Sequence, residues 1–350
     1  MPNFFSISNL LLLCILFNSF VSVGQKIESA YGDKVSSGEI VYAITNRSEV
    51  GNNNQIEFTN HVKSDKGLIY LEVTLIQTDS LSIIRLDSLE FLNRISKIGD
   101  DWLLFVHGDS KTFEQAIIRG MDIQYLHKVN VLVFSWPTKD LELNGINNFK
   151  NSKKNVIASV NHFEELLWFM ETFKNSNASF KNDASLSVFF HSLGNSLVKN
   201  MVLSDVEKQY NTIIFDNMIL NSAAVNQLNH KEWVEKLNLQ KRIYITSNKS
   251  DFNLKGVRIF TNDGKQLGEK VLQPIAVNAN YINFSNAVGF RFPTGTSHTF
   301  FIGEVPDLDQ NIRNLYYNLF HGNDIDFSDS KIFEQRKDGI GYNIKKTKLN

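Results

Sequence analysis

The 350-residue chain is poor in cysteine and proline. Its single cysteine, Cys14, lies in the N-terminal apolar segment, so the remainder of the chain has no thiol. This excludes disulfide bonds, a cysteine nucleophile and a zinc site built on thiolates from that remainder, which therefore suits an oxidising compartment. With only five prolines, no internal repeat and no low-complexity segment, the sequence shows no linker between two domains.

The chain also lacks an excess of charge of either sign. Its 36 basic and 37 acidic residues give a formal net charge of -1, and no basic stripe interleaves with aromatic residues. We therefore expect no nucleic-acid partner. Because 42% of the residues are hydrophobic, the chain has enough apolar surface to bury one large core.

The N-terminus has the pattern of a cleaved signal peptide over residues 1–24. An apolar run ends in small residues at the two positions that a signal peptidase reads, which predicts cleavage before Gln25. An uncleaved membrane anchor is the alternative, but Asn18 and Ser19 interrupt the run, which is shorter than the ~20 apolar residues of a span. We therefore expect an extracytoplasmic protein, periplasmic or secreted, with no stable membrane span after cleavage.

Beyond a polar lead-in over residues 25–39, solid apolar strands alternate with amphipathic helices. The predicted strands are 40–45, 67–77, 101–108, 129–134, 186–190, 212–220, 242–246 and 281–284, and the predicted helices are 86–98, 112–126, 153–174, 196–206 and 308–320. This alternation predicts an α/β fold of three layers, in which a mostly parallel central sheet carries helices on both faces. We assign 40–322 to this domain and 323–350 to a peripheral C-terminal extension.

One strand-turn-helix segment carries the strongest chemical signal. The strand 186–190 runs into His191-Ser192-Leu193-Gly194-Asn195, and a helix follows at once. This is the pattern of a nucleophile elbow, in which a sharp turn exposes the serine and directs the N–H of Leu193 at an approaching carbonyl. Gly194 occupies the second glycine position of G-x-S-x-G, whereas Phe190 occupies the first. On this motif alone, the alternative is an ordinary turn that contains a serine by chance.

A serine nucleophile needs a base, and three histidines follow Ser192. His230 opens a predicted helix and comes too early for an acid to lie between serine and base. His321 follows a predicted helix, where capping is its common role. His298 lies in a glycine-bearing loop after the strand that we predict to be the last, so we favour His298 as the base.

Asp251 is our candidate for the acid that orients this histidine. It follows the strand 242–246 by a few residues and stands between Ser192 and His298, the chain order expected for this fold. An ordinary turn aspartate is the alternative, but Asp263, before Gly264, fits that role better. Two other aspartates, Asp205 and Asp216, fall within the helix after Ser192 and within a strand.

The second oxyanion donor is expected on the loop after the strand 101–108. Gly108 allows close approach of the substrate to the backbone, and the N–H of Asp109 is the candidate donor. The carboxylate of Asp109 would oppose an oxyanion unless its side chain points away. We expect the side chains of His107 and His191 to be structural.

A set of motifs, taken in order, resembles that of an uncharacterised bacterial branch of the α/β-hydrolases. The motifs are V-Y-A-I-T-N-R, F-V-H-G with F-E-Q-A, F-S-W-P, F-H-S-L-G-N, I-Y-I-T-S-N-K-S-D and S-H-T-F-F. That branch reads H-G-F-N-x-S-F-x-x-A, S-W-P, A-H-S-M-G-N, a strand leading to a late Asp, and H-S-Y-F, and the resemblance covers residues 41–318. It implies that the nucleophile, acid and base are Ser192, Asp251 and His298, with Gly108, Asp109 and Leu193 around the oxyanion. The chain departs from the branch at Phe190, at Asp109 and, mildly, at Leu193.

These features predict a secreted or periplasmic serine hydrolase of esterase type that forms an acyl-enzyme and needs no cofactor or metal. The expected substrate is a small or lipid-like acyl compound. A catalytically inactive binding protein on the same scaffold is the alternative. A metalloenzyme is disfavoured, because the histidines are scattered and no H-E-x-x-H occurs.

Overall fold

A computed structural model of the chain describes residues 29–31, 34–52, 55–65, 67–77, 80–210, 212–291 and 294–347. The predicted signal peptide, with Cys14 and the cleavage position, lies outside the described residues. The strands are β1 (Ile40–Thr45), β2 (Arg47–Asn52), β3 (Gln55–Val62), β4 (Ile69–Gln77), β5 (Ser80–Leu86), β6 (Trp102–Val106), β7 (Asn130–Ser135), β8 (Leu186–His191), β9 (Phe215–Asn221), β10 (Gln240–Ser247), β11 (Ala279–Asn283), β12 (Phe333–Gln335) and β13 (Tyr342–Ile344).

An 11-stranded sheet forms the centre of the molecule, in the order β12-β13-β11-β10-β9-β8-β6-β7-β1-β4-β5. The strands from β13 to β1 in this order pair in parallel with their neighbours. The strands β4, β5 and β12 pair antiparallel at the two edges. Because the parallel strands all point one way, the loops after β6, β8, β10 and β11 meet at a single edge.

Helices cover both faces of the sheet. They are α1 (Ser88–Ile95), α2 (Phe113–His127), α3 (Gly145–Ser176), α4 (Ser179–Asn182), α5 (Asn195–Leu203), α6 (His230–Val234), α7 (Phe252–Thr261), α8 (Glu304–Leu308) and α9 (Gln310–Phe320). Buried residues of α1, α3 and α5 join one hydrophobic core, and those of α2 and α9 join a second. Successive residues of β6 alternate between the two cores, as Leu104 and Val106 face the first and Leu103 and Phe105 the second. The predicted three-layer α/β class is therefore confirmed.

Side-chain caps explain where several helices begin. Thr112 and Gln115 form a reciprocal capping box at the start of α2. Asn144 accepts from the amide of Asn147 at the start of α3, and Asp309 caps α9 in the same way. Each cap satisfies an amide that the helix itself leaves unpaired, which is worth about 1 kcal/mol.

The sheet is larger at both ends of the chain than we predicted. The strands β2 and β3 form a separate two-stranded sheet, and β5 adds to β4, where the sequence predicted only two strands before the first helix. The loop that carries His298 follows β11, but β11 is not the last strand. The extension 323–350, expected to be peripheral, supplies β12 and β13 at the sheet's edge and buries Phe333 and Ile344. Within the described residues, no helix has the length and apolarity to cross a membrane.

An ion pair ties the end of α9 to the opposite edge of the sheet from the β6, β8 and β10 loops. Nδ1 of His321, the C-cap residue of α9, bonds to Oδ2 of Asp101 at 2.5 Å, and its Nε2 bonds to the carbonyl oxygen of His127 at 2.9 Å. Because both partners accept hydrogen bonds, the ring makes both bonds only as the imidazolium. Burial lowers the pKa of His321, but the bonds to Asp101 and His127 outweigh it and raise this pKa above its usual value.

We expect this pair to make folding stability depend on pH. A histidine whose pKa is raised by folding contributes its full stabilisation below the unfolded pKa of about 6.5. This contribution to the unfolding free energy is lost as the pH rises through the folded pKa. Between pH 6 and 9, wild type should lose about 1 kcal/mol of unfolding free energy more than His321→Gln, since Asp101 is partly exposed and solvent screens the pair. Urea unfolding of both proteins at the two pH values measures this. Equal losses of unfolding free energy in the two proteins would contradict a charged His321–Asp101 pair.

Candidate active site

Ser192 lies in the connection between β8 and α5 with a left-handed backbone, at φ +52°. This conformation is unfavourable for a residue other than glycine, so surrounding contacts must maintain it. The side-chain amide of Asn195 provides them by donating to the carbonyl oxygens of Phe190, Ser192 and Asn221 at 3.1, 2.9 and 3.2 Å. Ser192 is only 8% exposed, at the edge where the parallel strands end.

Two glycines allow the loops around Ser192 to approach closely. A Cβ on Gly108 would lie 2.6 Å from the Cβ of Ser192, so the loop after β6 touches the serine. A Cβ on Gly194 would lie 2.8 Å from the carbonyl oxygens of Val106 and His107. Neither position accommodates a side chain unless its neighbours shift, which explains the need for glycine at both.

Phe190 stands where the motif has its first glycine. Its side chain is buried in the core on the α3 side, where its ring lies 5.8 Å from that of Phe163. It is thereby directed away from the turn at Ser192. The left-handed turn and the phenylalanine coexist in this structure.

Asp251 and His298 form a buried pair. Nδ1 of His298 donates to Oδ2 of Asp251 at 2.6 Å, and the two residues are 5% and 0% exposed. Asp251 is also the N-cap of α7, where its Oδ1 accepts from the amide of Leu254 at 3.1 Å. Because Nδ1 carries the proton, Nε2 of His298 remains an acceptor, which is the form that a general base requires.

The loops that carry Ser192 and His298 both bond to the segment after β9. The amide of Ala224 donates to the carbonyl oxygen of Ser192 at 3.1 Å, and Oγ of Ser222 donates to the carbonyl oxygen of His298 at 3.3 Å. The side-chain amide of Asn248, after β10, also donates to the carbonyl oxygens of Gly289 and Ser297 in the His298 loop, both at 3.0 Å. These bonds place the serine loop and the His298 loop around the same segment.

His191 packs beside this pair as a neutral ring. Its centroid lies 4.7 Å from that of His298, and its Nδ1 accepts from the side-chain amide of Asn221 at 3.2 Å. Burial lowers the pKa of His191 well below its usual value, and a protonated His298 would act in the same sense. Asn221 is itself fixed, because its Oδ1 accepts from Thr246 at 2.7 Å and from Tyr316 at 2.5 Å.

His107 is also held by structural bonds. Its Nδ1 donates to the carbonyl oxygen of Gly108 at 2.8 Å, and its Nε2 accepts from the amide of Trp136 at 3.2 Å. Burial and the charge of Arg47 lower the pKa of His107 to about 3. The ring is therefore neutral and shapes the loop after β6.

The carboxylate of Asp109 is bonded on the side of α3. Its Oδ1 accepts from the side-chain amide of Asn148 at 3.2 Å, and its Oδ2 accepts from Oγ of Ser110 at 3.1 Å. Burial raises the pKa of Asp109 to about 6, although hydrogen bonds from Ser152 and Ser110 act in the opposite sense. Among the described residues, the backbone amide of Asp109 makes no turn, loop or side-chain hydrogen bond. Leu193 lies in the first turn of the 3₁₀ segment Ser192–Gly194, where a helix leaves its own amides unpaired.

The other histidines and aspartates considered from the sequence lie elsewhere. His230, at the start of α6, bonds to the hydroxyl of Tyr281, and His321 is the C-cap of α9. Asp263 pairs with Lys153, Asp205 with Lys208, and Asp216 with Lys174 and Lys241. No group of three or more His, Cys, Asp or Glu suited to a metal ion occurs in the described part of the chain.

Sequence reasoning missed a buried arginine that holds the loop after β6. Arg47 is fully buried, and its guanidinium donates to the carbonyl oxygens of Lys111 and Trp136 at 2.9 and 2.7 Å and to Oγ of Ser135 at 3.0 Å. Its position two residues after β1, in V-Y-A-I-T-N-R, was the available signal. Asn195, in F-H-S-L-G-N, is a second residue whose role became apparent only from its three acceptors.

The sheet order, the two helical layers and the strand-turn-helix connection define an alpha/beta-hydrolase fold. The model of a family described as "Alpha/beta hydrolase of unknown function (DUF900)" matches residues 88–288, more than half of the chain. The chain belongs to this family. The matched range includes Ser192 and Asp251 and ends before His298. A search of curated proteins and a search of solved structures each found no match.

Proposed function

We propose that this protein is a serine hydrolase that cleaves carboxylic esters through an acyl-enzyme. The observation that carries the proposal is the buried His298–Asp251 pair at 2.6 Å, at the sheet edge where Ser192 has its left-handed turn. A neutral imidazole with Nδ1 bonded to a carboxylate is the arrangement that prepares Nε2 to take a proton from a serine.

In the proposed reaction, Oγ of Ser192 attacks the acyl carbon while Nε2 of His298 takes the hydroxyl proton. The amides of Leu193 and Asp109 stabilise the oxyanion of the tetrahedral intermediate. His298 then protonates the leaving alkoxide, and the acyl group remains on Ser192. In the second half, His298 takes a proton from the water that attacks the acyl carbon, and it then gives this proton to Oγ of Ser192 as the bond between Oγ and the acyl carbon breaks and the acid is released. Asp251 stabilises the imidazolium in both halves.

Turnover of a series of nitrophenyl esters of graded chain length tests this proposal. Wild type should hydrolyse at least one ester, and Ser192→Ala should lower kcat by roughly 10⁴- to 10⁶-fold, because the nucleophile is removed. Ser187→Ala is the matched control: Ser187 is buried on the same strand, and its Oγ has no hydrogen-bond partner among the described residues. The control should retain wild-type activity.

A non-catalytic binding protein is the second candidate, and Asp109 is the observation that favours it. With a pKa of about 6, its carboxylate is mostly ionised at neutral pH, next to an amide that would have to stabilise negative charge. This candidate predicts that no ester in the series is turned over and that Ser192→Ala changes nothing. Equal turnover by wild type and Ser192→Ala would overturn the hydrolase proposal.

A further inference from the structure

A second imidazole lies against the proposed base. His191 directly precedes Ser192, and its ring centroid is 4.7 Å from that of His298, with 48° between the ring planes. The same ring packs on Phe301, whose centroid is 5.0 Å away. Because the two imidazoles are this close, any charge on His191 would act directly on His298.

The proton of His191 is placed by Asn221, its partner in register on the neighbouring strand β9. The side-chain amide of Asn221 donates to Nδ1 of His191 at 3.2 Å. A nitrogen that accepts a hydrogen bond carries no proton, so the ring is the neutral tautomer with its proton on Nε2. The carboxylate of Asp251 bonds to His298 instead, and no carboxylate in the described part of the chain bonds to His191.

The orientation of the Asn221 amide is itself fixed. Its Oδ1 accepts from Oγ1 of Thr246 at 2.7 Å and from the hydroxyl of Tyr316 at 2.5 Å, and both donors are fully buried. Oγ1 of Thr246 also accepts from the amide of Ser222 at 3.2 Å, which leaves its own proton for Asn221. Turning the amide over would deprive two buried hydroxyl protons of their acceptor, which is costly.

The groups around His191 also oppose a second proton on its ring. Burial is the main cause that lowers the pKa of His191, and the charges of Arg119 and Lys111 act in the same sense. His107 and Tyr316 stay neutral, since burial lowers the pKa of the first and raises that of the second. Hydrogen-bond geometry and surroundings therefore agree on an uncharged ring.

We propose that Asn221 is a positioning residue for the base, which holds His191 as a neutral ring so that His298 can become positively charged without a second charge beside it. This inference rests on the proposed hydrolase function, in which His298 takes the proton of Ser192. Two positive rings 4.7 Å apart would repel each other and weaken the base. Asparagine and aspartate have the same shape, but only asparagine donates to Nδ1.

Nitrogen-15 NMR of the histidine rings tests the charge of His191 without any turnover. In folded wild type, the His191 signals should show the neutral form with the proton on Nε2 from about pH 5.5 to about pH 9. The spectrum of His191→Phe, which lacks these signals, assigns them. A ring that gains a second proton in this range, or that carries its proton on Nδ1, overturns the inference.

Asn221→Asp tests the consequence for the base. The new carboxylate can still accept from Thr246 and Tyr316, but it also accepts at Nδ1, so His191 should become charged at neutral pH. The acidic limb of the kcat/KM profile should then move to lower pH by about 1 unit and kcat should fall about 10-fold, with little change in KM. A purely structural role would lower kcat without moving the limb. Asn280→Asp is the control, since it adds the same charge near the start of β11, at the opposite edge of the sheet, and should change neither quantity.

The double variant His191→Phe/Asn221→Asp separates the charge of the ring from that of the carboxylate. Because phenylalanine cannot be charged, the shift of the acidic limb to lower pH should vanish. A shift that persists in the double variant overturns the inference. So does an Asn221→Asp protein in which His191 is charged while the limb and kcat match wild type. Both results leave the hydrolase proposal standing.

The NMR measurement also covers the two remaining outcomes. If no ester is turned over, the hydrolase proposal fails, and a His191 ring that is neutral in wild type and charged in Asn221→Asp still supports the role of Asn221, whereas an unchanged ring overturns it. If Asn221→Asp does not fold, the wild-type spectrum decides alone: a neutral ring with its proton on Nε2 supports the inference, and any other form overturns it.

Discussion

Asp251→Asn is expected to lower kcat by about 10⁴-fold while the protein stays folded. The carboxylate accepts the Nδ1 proton of His298 at 2.6 Å, and an amide that presents its N–H there would hold the imidazole in the wrong tautomer. Asparagine caps helices as well as aspartate does, so the bond to Leu254 at the start of α7 should persist. Kinetics on the best nitrophenyl ester, together with urea unfolding, measure both effects.

Asp263→Asn is the matched control for this substitution. Asp263 lies just beyond the other end of α7 and pairs with Lys153 in a partly exposed ion pair. Such pairs contribute about 0 to 1 kcal/mol to stability, and this one does not contact His298. Its kcat should match wild type. A kcat for Asp251→Asn within 10-fold of wild type would show that Asp251 only caps the helix.

Gly108→Ala is expected to reduce kcat/KM by about 100-fold or more. The added methyl would sit 2.6 Å from the Cβ of Ser192, so the serine or the oxyanion loop must move. A displaced donor amide alone costs about 10²- to 10³-fold in enzymes that use an oxyanion hole. Steady-state kinetics with the same ester measure the loss.

Gly145→Ala provides the comparison for Gly108→Ala. Gly145 begins α3, and a Cβ there would have no neighbour within 4 Å. Alanine favours helix over glycine, so this control should be as active as wild type and equally or more stable. Full activity of Gly108→Ala would mean that the loop after β6 has room at the serine, against the close approach seen here.

The central strands were predictable because each is a solid apolar run. Residues 101–108 and 129–134 were predicted as strands and correspond to β6 and β7, which are buried on both faces. The hairpin of β2 and β3 was missed, since R-S-E-V-G-N is polar and pairing decides its structure. The three-residue strand β13 was missed for a related reason: it has a single fully buried residue, Ile344, and no local signal distinguishes it from a loop.

The candidate site was partly accessible to sequence reasoning. Chain order, together with positions in loops after predicted strands, singled out Asp251 and His298, and the structure places their side chains in contact. The supporting polar residues were not foreseen, because an asparagine such as Asn195 or Asn221 shows its role only through acceptors brought in from other strands. The sequence likewise left the orientation of the Asp109 carboxylate open, since Asn148, its partner, is distant along the chain.

The most direct measurement of the central claim is covalent labelling of the folded protein with a fluorophosphonate probe, located by peptide mapping. The probe reacts with a serine only when a neighbouring base activates it. We expect one probe per chain, attached to Ser192, and no labelling of Ser192→Ala. An unlabelled wild-type protein, or a probe attached to another residue, would contradict the assignment of Ser192, His298 and Asp251 as a working triad.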